Sequence, residues 1–467
     1  MNFELCEYSD LIIQGNLSLQ IKLWLMGNQW FQHYFQEYCQ FMNFEYNLLQ
    51  RYCDLIEENP PNLHRILQLF KKFYNLRTFN LYNNSENIDY ILEHLPSSVQ
   101  NLYIDQFNFE KYFLLPQTLI TLKVDILYAY KVQIYKLPHN LKYLEVRQYH
   151  NFLDENLHMP KHLETLKSYN LKFENKWLKS LKKLKTLQIH ANHTLNFYFL
   201  ELDKKLKHLT NLDLSHNYNL YNVNNLLHYC NNLQKLILVY DKLYSIPDNI
   251  ANLSLLTYLN LSNNKIVNVV NDDIFKNLTS LTYLNLSDNQ ILYLPTSIMQ
   301  LTQLKDLQLQ FNQLTDDSFC LFSKMSQLEN LYLSNNYFVN ITTLFSPNLK
   351  CLDLGWNQLK QLPHNICELK NLVVLYLNCN QLSNVDELFN TKLQYLNLSE
   401  NNLHNLSNNI TNLPSLYTLN LFSNKLTSFP LITNSLNYLN LQNNCFLNDV
   451  KTLLCEHFAK NKILLHI

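Results

Sequence analysis

The chain has 467 residues, and its 37 Lys and Arg against 38 Asp and Glu give a formal net charge of -1, which excludes a global attraction to nucleic acid or to an acidic membrane. Leucine supplies 99 residues and asparagine 68, whereas glycine occurs only at Gly15, Gly27 and Gly355. Because phosphate-cradling loops need several glycines, Walker A and dinucleotide-binding fingerprints are excluded.

Residues 1–73 do not fit the repeat that follows them, and they are predicted to form a helical N-terminal region. The start of the chain carries acidic residues and lacks both a basic segment and a continuous apolar stretch, so we expect no secretory signal. No window of 18 apolar residues predicts a transmembrane helix. The 10 cysteines lack the paired spacing of a zinc site or a disulfide framework. These observations predict a cytoplasmic protein with reduced thiols.

Part of this region, residues 17–35, resembles the last helices of an F-box, a pattern that ends in an apolar residue, three variable residues and Trp. Met26 and Trp30 occupy those two places, although Phe3-Glu-Leu-Cys stands where the usual Leu-Pro opening would be. The resemblance implies that Met26 and Trp30 hold an adaptor of an SCF-type ubiquitin ligase. The alternative is an N-terminal helical cap whose Trp24, Trp30 and Phe31 pack on the first repeat.

A repeat with the template LxxLxLxxNxL occupies residues 74–446, and its clearest copies begin at Leu256 and Leu281. About 17 copies follow one another at a period of about 22 residues. The first leucine equivalents are Leu76, Val99, Leu119, Leu141, Leu163, Leu184, Leu209, Leu233, Leu256, Leu281, Leu304, Leu328, Leu349, Leu372, Leu393, Leu416 and Leu436. This pattern resembles the leucine-rich repeat family.

The alternation within each LxL places both leucines on one side of a short strand. Stacking one parallel strand per repeat buries those leucines in a continuous core. Only about a dozen residues remain in each repeat for the return path, too few for a full helix with two turns. The predicted fold is therefore an α/β solenoid: a leucine-rich-repeat horseshoe with a parallel concave β-sheet, a short 3₁₀ or extended convex side, and helical N- and C-terminal caps.

An asparagine follows most strands, where its amide can satisfy buried backbone groups. In the leucine-rich repeat family these residues form a ladder, which here comprises Asn217, Asn264, Asn289, Asn312, Asn336, Asn357, Asn380, Asn401, Asn424 and Asn444. Asp241 replaces one of them, and we expect a weaker rung there. The repeats from Val99 to Leu184 lack the asparagine and are rich in aromatic residues, so we expect a less regular region, whose register the pattern leaves open. Prolines before several repeats, such as Pro116 and Pro138, indicate an extended entry into the strand.

The last segment, residues 447–467, is predicted to cap the array. Val450, Leu453, Leu454 and Phe458 lie at helical spacing, and Asp449 is a candidate N-cap.

The sequence contains no motif for catalysis, metal binding or cofactor binding, so we expect neither an enzyme nor a cofactor. We instead expect a protein-protein interaction scaffold that binds through its concave face; the alternative is an F-box-like substrate receptor that brings a bound protein to an SCF-type ligase. Tyr and Asn recur monotonously on the concave positions. Candidate partner-binding residues are Gln308, Gln310, Phe311, Tyr332, Trp356, Tyr376 and Phe422. Ordinary packing at the edge of the sheet is the other interpretation of Trp356.

A lysine-rich stretch, residues 161–208, holds 11 Lys against 4 acidic residues. It predicts either a solvated flank or a contact for an acidic partner. A nucleic-acid partner is disfavoured because the net charge of the whole chain opposes it.

Overall fold

The computed structural model describes residues 77–467, without 82–91, 94, 96, 109–114, 129–134, 151–156, 170–174, 192–194, 196, 198–201, 203–204, 219, 221, 268–270, 342–345, 364–365, 387, 389–391, 407–408, 411–412, 430–435 and 461–462. The chain divides into two compact blocks. The N-terminal block comprises Met1–Leu195 with Phe199–Asn211, and the C-terminal block comprises Asn196–Tyr198 with Leu212–Ile467. The predicted helical region 1–73, including Met26 and Trp30, lies outside the described residues.

The N-terminal block is built on parallel strands that follow one another along the chain. Its described elements are β1 (Thr78–Leu81), β2 (Asn101–Asn108), β3 (Thr121–Tyr128), β4 (Tyr135–Lys136), β5 (Tyr143–His150), β6 (Leu157–His158), β7 (Thr165–Tyr169), helix α1 (Asn175–Ser180) and β8 (Thr186–His190). Strands β1, β2, β3, β5, β7 and β8 pair in that order, all in parallel. Strands β4 and β6 form a separate parallel pair.

The strands β2, β3 and β5 of this block are eight residues long. They stay in one register, in which Asn101 pairs with Thr121 and Thr121 pairs with Tyr143. The expectation of a less regular region is wrong for the sheet. The physical reason is that these repeats lack the asparagine that turns the chain inward after LxL, so the strand continues along its neighbour.

The C-terminal block has shorter strands. Its described elements are β9 (Asn211–Asp213, at the boundary between the blocks), α2 (Val223–Leu227), β10 (Lys235–Ile237), β11 (Tyr258–Asn260), β12 (Tyr283–Asn285), β13 (Asp306–Gln308), α3 (Phe319–Phe322), β14 (Asn330–Tyr332), β15 (Cys351–Asp353), β16 (Val374–Tyr376), β17 (Tyr395–Asn397), β18 (Thr418–Asn420), β19 (Tyr438–Asn440), α4 (Asn448–Lys460) and β20 (Leu464–His466). Strands β10 to β20 pair in parallel in chain order.

Each of the seventeen predicted repeats has its strand, and each strand begins two residues after the predicted first leucine equivalent. Thus β2 begins at Asn101 after Val99, and β11 begins at Tyr258 after Leu256. The register that the sequence pattern left open between Val99 and Leu184 follows the same rule. Strand β20 lies outside the repeat pattern and adds a parallel strand after β19.

The core of each block is the stack of leucines that the repeat predicts. In the repeat of β12, for example, Leu281, Leu284 and Leu286 are fully buried. Burying one such side chain contributes roughly 1.5–3 kcal/mol. At the C-terminal end, Leu454 and Phe458 of α4 are buried, and the Phe458 ring lies 5.9 Å from that of Phe429. The predicted capping helix is therefore present, whereas Leu453 is exposed and contributes nothing to the cap's core.

Where the structure describes it, the return path in the C-terminal block consists of short turns and the short helices α2 and α3, as the spacing predicts. Turns of 3₁₀ helix occupy Asp248–Asn252, Thr296–Gln300, Asp316–Ser318 and Ile366–Glu368. Pro247 and Pro295 precede two of these turns in extended conformation. In the N-terminal block, the carbonyls of Pro116 and Pro138 each accept a hydrogen bond from the N–H three residues later, so these prolines open a turn rather than extend the strand.

The asparagine after each of the strands β11 to β19 binds backbone groups of two repeats. Asn289 donates from Nδ2 to the carbonyls of Leu286 and Leu261, both at 3.1 Å, and its Oδ1 accepts the N–H of Ile266 at 3.0 Å. The same pattern recurs from Asn264 to Asn444. The predicted ladder is thus structural: it satisfies carbonyl and N–H groups that would be costly to bury unpaired.

Asp241 occupies one rung of this ladder. Its side chain is buried, and burial raises the pKa of its carboxyl group from 3.8 to about 8.

Within the part of the chain that the structure describes, no helix has both the length and the apolar composition that a membrane crossing requires.

Candidate protein-binding face

The concave face of the C-terminal block consists of the first and third residues of strands β10 to β19 and of the residues that continue these strands. In strand after strand the central leucine is buried while its two neighbours are half-buried, as in Tyr258–Asn260 and Tyr395–Asn397. The side chains of this face therefore point away from the core and are available to a partner.

The recurrent asparagine at the third strand position has a local structural role. The Oδ1 of Asn260 accepts the N–H of Ser262 at 3.0 Å, and the same bond closes the strand at Asn285, Asn397, Asn420 and Asn440. Such a side-chain turn ends the strand where the chain bends towards the core. Asn therefore recurs on this face because it closes the turn. These residues are poor candidates for contacts with a partner.

Three of the candidate residues lie in one row across the strands. In the strand register, Gln308 pairs with Tyr332, Tyr332 with Asp353, and Asp353 with Tyr376. A second row contains Asp306, Asn330 and Cys351. The structure therefore brings Gln308, Tyr332 and Tyr376 together at the middle of the face.

Phe311 and Trp356 lie at the margin of the same face, at the position directly before the ladder asparagine. Their φ angles are 56° and 53°, in the left-handed region that disfavours bulky side chains. Phe311 is 51% exposed and Trp356 is 55% exposed. The backbone N–H of Phe311 binds the Ser334 carbonyl at 2.9 Å, which fixes the residue against the next repeat. Both aromatic side chains are thus held outward by an ordered backbone.

The remaining candidates are less accessible. Gln310 is half-buried, and its Oε1 is buried without a hydrogen-bond partner among the described residues. Phe422 is half-buried two strands beyond Tyr376. Gly355 is buried, and a Cβ there would lie 2.9 Å from Oδ1 of Asn378, whose side chain covers it, so the glycine exposes no backbone beside Trp356.

The residues that sequence reasoning missed are Asp306 and Asp353. Asp306 accepts hydrogen bonds from Gln308 and Asn330, both at 3.1 Å, and Asp353 accepts the N–H of Gly355 at 2.9 Å. Burial raises the pKa of both carboxyl groups above the ordinary value. The sequence could have indicated them, because at both positions a charged residue replaces the Tyr or Asn that most repeats carry there.

The lysines that lie near Asp306 and Asp353 in the sequence form ion pairs with Glu329 instead. Lys305 and Lys350 flank Glu329 on the residues that precede the strands, with Nζ–Oε distances of 3.6 and 2.6 Å. These lysines hold the pKa of Glu329 below its ordinary value. Within the described ranges, no lysine or arginine forms an ion pair with Asp306 or Asp353. The centre of the face therefore carries negative charge without an internal counter-charge.

The described residues include no group of three or more His, Cys, Asp or Glu side chains that could hold a metal ion. What the concave face offers is aromatic surface, amide groups and two carboxylates. Such groups suit binding to another protein, since Tyr and Trp supply contact area at a low entropy cost.

The lysine-rich stretch contains β7 and β8 of the N-terminal block, and several of its lysines lie outside these strands. Lys179, Lys182 and Lys205 are exposed and, with Leu178 and Leu202, line part of a cavity of about 220 Å³. Their exposure agrees with the solvated-flank interpretation. A contact with an acidic partner stays a prediction.

The comparisons with known proteins agree with this architecture. The family described as Leucine rich repeat matches residues 231–291 and 254–314. The matched residues are leucine-rich repeats. The leucine-rich repeat match does not reach residues 1–73, so the F-box interpretation of Met26 and Trp30 gains no support and stays a prediction. The comparison with curated proteins finds no match.

Several solved structures are similar to this chain. A leucine-rich-repeat protein of Leptospira interrogans is 23% identical over 83% of this chain and 100% of that chain, with a TM-score of 0.57. YopM from Yersinia enterocolitica is 22% identical over 75% of each chain, with a TM-score of 0.51. The Arabidopsis receptor kinase HAESA, solved with the peptide hormone IDA and the co-receptor SERK1, is 21% identical over 80% of this chain and 71% of that chain, with a TM-score of 0.53. At these identities the likeness shows the fold, a leucine-rich-repeat solenoid.

Proposed function

We propose that this protein is an interaction scaffold that binds a protein partner through the concave face of the C-terminal block and performs no chemistry of its own. The observation that carries the proposal is the outward placement of Phe311 and Trp356. A left-handed backbone costs a bulky residue about 1–2 kcal/mol. Asn263, Asn335 and Asn443 fill the equivalent position in other repeats, so the fold itself does not require an aromatic residue there.

The rest of the candidate surface supports the same role. Tyr332 and Tyr376 continue the aromatic surface inward from Trp356 along the third strand position. Binding hot spots are enriched in Trp and Tyr, and they cluster near the centre of an interface. The receptor kinase HAESA, whose structure is similar to this chain, was solved in complex with a peptide hormone, which is consistent with a peptide or protein ligand for this fold.

Site-specific photo-crosslinking tests the proposal. Benzoylphenylalanine would replace Phe311, Trp356 or, as the matched control, Tyr293, which is 62% exposed and lies outside the concave face. We expect one and the same protein partner to be crosslinked at positions 311 and 356 in cells that express the full chain, and not at position 293.

The specificity of that crosslink is checked by removing side chains. The double substitution W356A/Y376A should abolish the crosslink at position 311 while leaving the thermal unfolding midpoint within a few degrees of wild type. A crosslink of equal strength at position 293, or the absence of any crosslink at positions 311 and 356, would contradict the proposed function.

A further inference from the structure

The centre of the concave face places tyrosines beside carboxylates in two rows across five strands, β12 to β16. In the register, Asp306 of β13 pairs with Tyr283 of β12, and Asp353 of β15 lies between Tyr332 of β14 and Tyr376 of β16. Each carboxylate therefore has at least one tyrosine ring on a neighbouring strand, about 4.8 Å away along the sheet.

These carboxylates differ from Glu145 on the sheet of the N-terminal block. There Glu145 lies 3.7 Å from Lys123 Nζ and 3.5 Å from Arg147 Nε, and these cations together with the Tyr143 hydroxyl lower its pKa despite burial. Asp306 and Asp353 have no such cation among the described residues, and burial raises their pKa. Glu145 is thus neutralised by cations of its own sheet, whereas Asp306 and Asp353 have no counter-charge among the described residues.

The fold does not require a charge at either position. At the third strand position the turn is closed equally well by the neutral amide in Asn260 or Asn397, with bonds of 3.0 and 3.1 Å. At the first strand position other repeats carry Tyr258 or Tyr395. A partly buried carboxylate without a cation is unfavourable for folding, and a positive group of a partner would balance its charge.

We propose that the concave face of the C-terminal block binds a basic segment of its protein partner, with arginine side chains seated against Asp306 and Asp353. This inference rests on the proposed function and names the chemistry of the partner. Arginine fits better than lysine because its planar guanidinium can stack on a tyrosine ring while it donates two hydrogen bonds to a carboxylate. Charge complementarity of this kind directs specificity and the rate of association.

The geometry also sets the spacing of the arginines. Asp306 and Asp353 lie on strands two apart and at different strand positions, which places them roughly 12 Å apart along the sheet. Arginines three residues apart in an extended chain are about 10 Å apart, and their long side chains span the difference. A short peptide with two arginines at that spacing is therefore a suitable probe.

The experiment measures fluorescence anisotropy of a labelled Ser-Gly-Arg-Ser-Gly-Arg-Ser-Gly peptide with the full chain at low salt. The comparison peptide carries citrulline at both arginine positions, which keeps the shape and removes the charge. We expect the wild-type chain to bind the arginine peptide about tenfold more tightly than the citrulline peptide, and the D306N/D353N variant to lose that difference. A third peptide with lysine should bind more weakly than the arginine peptide.

The matched control is D317N/D386N, which changes the net charge equally at two exposed residues off the concave face. It should keep the preference for arginine. Equal loss in both variants, or an unchanged preference in D306N/D353N, would overturn the inference. If that happens while the crosslinks at positions 311 and 356 persist, only the basic partner is wrong; if the crosslinks are absent as well, the proposed function fails.

Discussion

The backbone N–H of Asn217 donates to Oδ1 of Asp241 at 2.7 Å, while the second oxygen of that carboxyl group, Oδ2, is buried without a partner among the described residues. In neighbouring rungs the corresponding atom is an amide nitrogen that donates to two carbonyls, as Asn264 does to those of Leu238 and Leu261. A carboxylate cannot donate there. A protonated carboxyl group can, which agrees with its raised pKa.

The first prediction concerns Asp241→Asn. The carboxyl group has a pKa of about 8 in the folded chain against an ordinary value of 3.8, so the folded state binds the extra proton between those pH values. The stability of the wild type therefore falls as pH rises from about 4 to 8, by about 1.4 kcal/mol per pH unit from this group. We expect Asp241→Asn to remove that slope and to stabilise the chain by about 2–4 kcal/mol at pH 7.

Denaturant unfolding of both proteins at pH 4 and pH 7 measures this difference. The two should converge at pH 4, where the carboxyl group is protonated in both states. Asp317→Asn, at an exposed position, is the control and should leave the pH dependence unchanged. A variant that parallels the wild type at every pH would show that Asp241 is already satisfied as a carboxylate.

The second prediction concerns a complete rung. Asn289→Ala leaves the carbonyls of Leu261 and Leu286 and the N–H of Ile266 without their side-chain partner. We expect a loss of about 2–4 kcal/mol, since each buried group left unpaired costs about 1–3 kcal/mol and water relieves part of the loss. The control Asn252→Ala removes an exposed amide and should change unfolding free energy by less than about 0.5 kcal/mol. If both substitutions changed the free energy of unfolding by a similar amount, the ladder would not be a source of stability.

The third prediction concerns Trp356→Asn. Asn tolerates the left-handed φ of 53° better than Trp, and the Trp356 side chain is 55% exposed, so little packing is lost. We expect a gain of about 0.5–1 kcal/mol in stability together with weaker partner binding. The reciprocal change Asn335→Trp, at the equivalent position of the preceding repeat, should lower stability by a similar amount. A clear loss of stability in Trp356→Asn would instead identify edge packing as its role.

The fourth prediction concerns the stability of D306N/D353N. Both carboxyl groups have a raised pKa through burial, so their ionisation opposes folding as pH rises above about 4. The amide variant lacks this penalty, and its thermal unfolding midpoint at pH 7 should rise by about 1–3 °C. Thermal melts at pH 4 and pH 7 check the sign. A lower midpoint at pH 7 would mean that these carboxylates serve the fold, and would weaken their assignment to a partner.

The sequence was sufficient to predict the architecture because one short template repeats many times. The strand that follows Leu256 could be placed to the residue, since LxL fixes which side chains enter the core. The template also marked the asparagines, and the resemblance to the leucine-rich repeat family implied that they form a ladder. The length of β2, β3 and β5 could not be predicted in this way, because the template marks where a strand begins, whereas its end depends on whether an asparagine turns the chain.

The candidate site was less accessible to sequence reasoning. Departures from the repeat pointed to Trp356 and Phe311, and the structure exposes both. Asp353 escaped notice because an acidic residue on a surface strand is ordinary in isolation. Its interest lies in what surrounds it: two tyrosines on adjacent strands and no cation among the described residues. Pairing across strands from different repeats is a relation that a linear pattern does not display.

The asparagine ladder has a direction. Each rung reaches back: Asn312 donates to the carbonyl of Leu286 and accepts the N–H of Ile291, both in the preceding repeat. The repeat that follows Asn312 receives no such bond from it, because its own rung, Asn336, reaches back in turn to Leu309 and Leu314. Substitution of one ladder asparagine therefore destabilises the preceding repeat. Amide hydrogen exchange should become faster one repeat nearer the N-terminus than the substituted residue.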